Sequence, residues 1–153
     1  VADAKRPKQV LVIITDGEDN ASSVDLEQTI RKVQSLSGPV IYSIGLLFGD
    51  EMSHAEVRHA RRALEMLSTE TGGMAFFPKS IENIDQIAAE VARDIRNQYT
   101  LGYHSTKPNT DPGFRRVQVA AEAKGMGKLT VRTRTGYFPL ARGSKKTSVA
   151  ATK

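Results

Sequence analysis

Residues 10–14, Val-Leu-Val-Ile-Ile, form an apolar run without alternation that ends in Thr15 and then meets three carboxylates within four positions, Asp16, Glu18 and Asp19. A strand with no polar face has no side to offer water, so it needs cover above and below, as strands of a parallel sheet have between helices. Two further runs of this kind follow, "VIYSIGLLF" at 40–48 and the shorter "MAFF" at 74–77.

The segments between these runs carry helical spacing. Leu26, Ile30, Val33 and Leu36 fall on one face, with Ser22 or Ser23 as the expected cap and Asp25 and Glu27 in the first turn, where carboxylates favour the helix dipole. Gly38-Pro39 stops that run. Ser53 followed three residues later by Glu56 is a capping box, and Val57, Ala60, Leu64 and Leu67 form the stripe of the helix it opens. "TGG" at 71–73 ends it. Ser80 is the expected cap of a third helix with Ile84, Ile87, Val91 and Ile95 inward. Strands alternating with helices predict an α/β fold, a mainly parallel sheet flanked by helices over residues 8–98.

The pattern changes near residue 98. "YTLGYHS" at 99–105, "FRRVQVAA" at 114–121 and "KLTVRTRTGYF" at 128–138 read as strands with turn-rich joints and no helix between them. Residues 99–140 are therefore expected to form a small antiparallel β element, packed on the α/β part through Tyr99, Leu101, Val117 and Val119. Residues 141–153 read as a flexible basic tail. Charge divides the same way: residues 1–98 hold 11 Lys and Arg against 15 Asp and Glu, and residues 99–153 hold 11 against 2. Such a surplus is either a solvated face or a surface for an anionic partner.

Composition narrows the class. At 153 residues, 39% hydrophobic and 25% charged, the chain has the content of one globular domain. No apolar run approaches the roughly 18 residues of a membrane span, and no secretory leader pattern opens the chain. The absence of cysteine excludes disulfides, thiolate metal sites and cysteine nucleophiles.

Asp16 follows the carboxyl end of a buried strand, the edge where open α/β sheets bind ligands. Hard oxygen donors there suit Mg²⁺ or Ca²⁺. The alternative is a solvated Asp16-Gly17 turn. Other chemistry is sparse. There is no Gly-x-x-x-x-Gly-Lys loop and no Gly-x-Ser-x-Gly elbow. His54 and His59 stand about 140° apart on a helix and cannot share a metal. His104 has no evident partner. Tyr99, Tyr103, Tyr137 and Phe138 near basic residues could stack single-stranded nucleic acid, but aromatic positions in a small sheet are more often core.

"VLVIITDGEDN" resembles the strand of von Willebrand factor type A domains that ends in Thr/Ser-Asp-Gly. "TGGMAFF", "QYTLGYHS" and "FRRVQV…LTVRTRTGYF" are similar to the bacterial branch described as von Willebrand factor A-related, acidobacterial type. The resemblance runs over roughly residues 8–140. It implies a metal-ion-dependent adhesion site to which Asp16 contributes, with Thr15, Glu18 and Asp19 on the ligand-binding rim and Mg²⁺ as the usual cation. The family's first motif, Asp-x-Ser-x-Ser, is absent; Asp19-Asn20-Ala21-Ser22-Ser23 comes nearest and fails. The chain is thus expected to be the C-terminal part of such a domain, N-terminal strands missing, with an incomplete site that holds a divalent cation weakly or not at all.

The expected function is a non-enzymatic protein-binding module, with no catalytic residues. The alternatives are a Mg²⁺-dependent phosphoryl-transfer enzyme using Asp16 and a nucleic-acid binder using the basic half. Missing strands would leave a bare sheet edge open to self-association. By resemblance, the setting is extracytoplasmic or secreted and bacterial.

Overall fold

The computed structural model describes residues 9–17, 25–35, 39–48, 52–106 and 113–139. Among them β1 (Val10–Thr15), β2 (Val40–Gly45) and β3 (Ala75–Phe76) form a parallel sheet in the order β1-β2-β3, with α1 (Leu26–Ser35), α2 (His54–Thr71) and α3 (Ile84–Arg96) against it. The register sets Val10 opposite Val40 and Thr15 opposite Gly45, and Ser43 opposite Ala75. This is the α/β architecture that the alternating strands and helices predict.

β2 is the covered strand. Ile41, Tyr42, Ser43 and Ile44 are all buried, and because successive side chains point to opposite faces they address different helices. On one face the Ser68 hydroxyl of α2 donates to Ser43 Oγ at 2.9 Å, so two polar groups satisfy each other inside the core. On the other face the Tyr42 hydroxyl donates to Asp94 Oδ2 of α3 at 2.7 Å and accepts from Gln98 Nε2 at 2.8 Å. The sheet is therefore sandwiched, α2 on one side and α3 on the other. α1 lies beside α2, where Gln34 Nε2 donates to Glu70 Oε2 at 2.8 Å.

Local chemistry explains most of the helix ends. The capping box is present in full: the Ser53 N–H donates to Glu56 Oε2 at 2.8 Å and the Glu56 N–H to Ser53 Oγ at 3.3 Å. α2 ends at Gly72, whose φ of 86° is the left-handed geometry that glycine adopts without strain. In α1 it is Asp25, placed by the sequence in the first turn, that caps: Oδ1 accepts from the Gln28 N–H at 2.7 Å. Ser22, Ser23, Leu36 and Gly38 lie outside the described residues. Ser80 does not cap a helix as expected. A 3₁₀ turn at 81–83 intervenes, and the Ser80 hydroxyl donates to Asn83 Oδ1 at 3.3 Å.

β1 departs from its sequence pattern in burial. It is a parallel strand as predicted, yet Leu11 is 46% exposed, Val12 43% and Ile14 60%. The cause is topological: among the described residues β1 pairs with β2 alone and forms an edge of the sheet, so its apolar side chains lack the cover of a second neighbouring strand.

After α3 the expected strand 99–105 does not form. The stretch is non-regular and exposed, Tyr99 at 92% and Leu101 at 71%, so neither packs on the α/β part as predicted. Its side chains instead meet the base of the hairpin, Tyr103 edge to face with Tyr137 and Ser105 accepting from Arg115, without a backbone ladder among the described residues. In that hairpin β4 (Arg115–Arg116) runs antiparallel to β7 (Gly136–Tyr137), and β5 (Ala121–Ala123) antiparallel to β6 (Gly127–Leu129). The outer arm of 114–121 and 128–138 is therefore two short ladders rather than continuous strands. Residues 130–134 lie between the two ladders, and three residues of this arm, Arg132, Arg134 and Thr135, bond to the α/β part. Arg132 donates to Asp94 Oδ1 at 2.6 Å, Thr135 Oγ1 to Glu70 Oε2, and the Thr135 N–H to the Glu70 carbonyl at 3.3 Å. Arg134 adds a long bond of 3.5 Å to the Gln34 carbonyl.

Asp94 thus links the central strand to the hairpin through Tyr42 on one oxygen and Arg132 on the other. Burial, with Asp94 beside it, pushes the Tyr42 phenol up to about 12. A raised phenol pKa means that the unfolded chain loses this proton first, so stability is complete below the ordinary value of 10 and declines as pH rises toward 12. Alkaline unfolding followed by circular dichroism should show that loss, and Tyr42→Phe should flatten it while lowering stability at neutral pH by about 1–3 kcal/mol. An unchanged alkaline slope in Tyr42→Phe would remove Tyr42 from this role.

Candidate cation site at the carboxyl edge of the sheet

β1 delivers Thr15 and Asp16 to the carboxyl edge of the sheet. The backbone there is fixed from two sides. The Leu46 N–H donates to the Thr15 carbonyl at 2.8 Å, extending the β1–β2 pairing one step beyond the strands. The Gly17 N–H then folds back to donate to Thr15 Oγ1 at 3.0 Å.

Gly17 is the residue that makes the turn possible. Its φ is 88°, and a Cβ added there would lie 2.5 Å from Leu47 Cδ2 and 2.9 Å from the Ala60 Cβ. Both conformation and space demand glycine. The chain is thereby pressed between the loop after β2 and the body of α2, and Asp16, exposed at the surface, sits immediately before the wedge. The sequence placed Asp16 by its position after a strand; it did not reveal that Leu47 and Ala60 hold the turn. An Asp-Gly pair after a buried run signals a turn but not what packs against it.

Of the four residues singled out by sequence, Thr15 and Asp16 are described, consecutive at the carboxyl end of β1. Glu18 and Asp19 lie outside the described residues. Among the described residues no group of three or more His, Cys, Asp or Glu side chains could hold a metal. One carboxylate and a hydroxyl already accepting a backbone N–H do not fill the octahedral shell that Mg²⁺ requires. These two residues do not, by themselves, fit the cation.

The remaining candidates disperse. His54 and His59 are exposed on α2, and His104 is exposed in the stretch before the hairpin. Tyr103 and Tyr137 meet edge to face, with ring centroids 6.4 Å apart. The hydrogen bond between their hydroxyls raises the Tyr103 pKa and lowers that of Tyr137, to whose oxygen Arg115 and Ser105 add further bonds. Arg115, buried, also donates to Ser105 Oγ at 3.0 Å. Phe114 and Phe138 pack at 5.2 Å. These rings are engaged with one another rather than spaced as successive stacking platforms.

A parallel α/β sheet with an aspartate fixed at its carboxyl edge defines the general class of open-sheet binding domains. Residues 2–90 match the sequence model of the von Willebrand factor type A domain, more than half of the chain, and the protein belongs to that family. Comparison with curated proteins and with solved structures returned no match. Domains of this family are typically interaction or adhesion modules and typically carry a divalent cation.

Gly17→Ala should destabilise the fold by about 2–4 kcal/mol, combining left-handed strain with overpacking against Leu47 and Ala60. Chemical denaturation checks this, and Gly17→Ala combined with Leu47→Ala should recover part of the loss. A neutral Gly17→Ala would mean that the turn is free to rearrange.

Proposed function

We propose that this chain is a non-enzymatic protein-binding module whose contact surface is the carboxyl edge of the sheet around Asp16. The observation that carries it is the Gly17 wedge, which holds Asp16 at that edge against α2 and the loop after β2. In this proposal Asp16 is a metal-ligating group, acting directly or through water, and Thr15, Glu18 and Asp19 shape the rim on which an acidic side chain of the partner protein seats. The rest of the cation's shell comes from a group that the Thr15–Asp16 pair does not supply, in keeping with the missing Asp-x-Ser-x-Ser motif.

Calorimetry with Mg²⁺ on this chain should accordingly show no binding tighter than about millimolar, the few kcal/mol that one carboxylate can give. A segment bearing the Asp-x-Ser-x-Ser motif, supplied in trans, should tighten binding, and Asp16→Ala should remove most of that gain. Tight Mg²⁺ binding by the chain alone that survives Asp16→Ala would place the cation elsewhere. Incubation with Mg²⁺ and a nucleoside triphosphate should release no phosphate. Release abolished by Asp16→Ala would favour the phosphoryl-transfer alternative.

Self-association through β1 belongs to the same proposal. Residues 10–15 carry no charge to discourage pairing, and Leu11, Val12 and Ile14 are exposed on an edge strand. Light scattering should show mass rising with concentration, and Val12→Lys should suppress it. A sharp monomer at all concentrations would exclude this edge as a contact.

A further inference from the structure

The turn that joins β5 to β6 presents a methionine to solvent. The Met126 N–H donates to the Ala123 carbonyl at 3.0 Å, which closes the turn. Gly125, its third residue, has φ of 82°, and Gly127, at the start of β6, has φ of 68°. Both are left-handed values that glycine takes without strain. Beyond its chain neighbours, a Cβ added at either glycine would meet no atom within 4 Å. The backbone of Met126 is thus fixed while its side chain, with glycine on each side, is left 74% exposed.

The chain has four methionines and no cysteine. Met52, Met66 and Met74 are all half-buried. The Met52 methyl lies beside the Gly17 turn, 3.8 Å from where a Cβ on that glycine would stand. Met66 lies within α2, and the Met74 carbonyl accepts from the Ser43 N–H of β2 at 3.1 Å. An oxidant must reach the thioether sulfur, and the sulfoxide it leaves is polar, so burial opposes both the approach and the product. Neither obstacle exists at position 126. With no thiol in the chain to react first, the most exposed thioether is the foremost target for a peroxide.

We propose that Met126 is a site of reversible oxidation, a modification of the hairpin tip by peroxide and a substrate for methionine sulfoxide reductase. The sulfur lone pair attacks one oxygen of hydrogen peroxide. The S–O bond forms as the O–O bond breaks, and the displaced hydroxide takes the proton of the transferred oxygen and leaves as water. Sulfur is oxidised by two electrons and the peroxide is reduced to water. In the reverse step the reductase's own thiols supply two electrons and become a disulfide, and the oxygen departs as water. The exposure that admits the peroxide also admits the reductase. Oxidation exchanges an apolar tip between Lys124 and Lys128 for a polar one and leaves the fold untouched. The site is independent of Asp16 and of any cation.

The test treats the full chain with hydrogen peroxide and follows each methionine by peptide mass mapping. Met126 should gain one oxygen at least about tenfold faster than Met52, Met66 or Met74. In the urea-unfolded chain the four should react at similar rates, which assigns the order to the fold. The singly oxidised chain should keep its circular dichroism spectrum and thermal midpoint. Methionine sulfoxide reductases of both epimer specificities, with dithiothreitol, should restore the original mass. Met126→Leu should remove the fast phase and leave the other three rates and the stability unchanged. Oxidation of another methionine as fast as Met126 in the folded chain would overturn the proposal. So would the same preference for Met126 in the unfolded chain, a lowered thermal midpoint after the first oxygen, or a sulfoxide that neither reductase removes.

Discussion

A fully buried phenol must find partners for its hydroxyl, because an unsatisfied polar group in the core costs on the order of 1–3 kcal/mol. Tyr42 stands at the centre of the central strand, and its hydroxyl finds Asp94 and Gln98. That requirement fixes more than one side chain. Asp94 must present a carboxylate to the underside of the sheet, so α3 is held in rotation and height against β2. The second oxygen of Asp94 then takes Arg132, which ties the hairpin arm to α3. On the opposite face, Glu70 does similar work with Gln34 and Thr135. Two carboxylates therefore tie three helices, the sheet and the hairpin together.

The α/β part was legible because its signals are local or periodic. Apolar runs of strand length, helical stripes and the Ser53–Glu56 box each depend on residues close in sequence, and each formed where expected. The exposure of β1 was not legible, since the run Val10–Ile14 records what the strand is suited to and not which neighbours surround it. Residues 99–105 misled for a related reason. Alternating Tyr99, Leu101 and Tyr103 match a strand's period, but a period supplies no partner, and among the described residues no strand pairs with this stretch. Ser80 had the sequence of a cap while the 3₁₀ turn took the first position. In α1, by contrast, Asp25 capped although it was placed inside the first turn, two residues after Ser23, the nearer expected cap.

The site was legible in position and not in support. Asp16 at the end of a strand is a statement about the sheet edge, which sequence periodicity can reach. That Gly17 must be glycine because Leu47 and Ala60 crowd it depends on residues 30 and 43 positions away, and no spacing rule reaches them. The bonds from Asp94 to Tyr42 and Arg132 span similar separations. Long-range polar contacts of this kind leave no pattern in a single sequence, because any Asp, Arg or Tyr at those positions would look like ordinary surface or core.

The two features of β1 that lack completion lie along one line. Among the described residues the strand's outer edge has no neighbour, and no group of three or more His, Cys, Asp or Glu side chains gathers at its carboxyl end. A strand added parallel to β1 would place its own carboxyl end beside Thr15 and Asp16, since parallel neighbours end at the same edge of a sheet. One addition would then cover Leu11, Val12 and Ile14 and bring further oxygen donors to Asp16. An antiparallel strand would cover the same apolar side chains but present its amino end there. In the function proposed here, the direction of the added strand therefore decides whether β1 merely associates or also assembles a cation site, and β1 pairing alone does not create one.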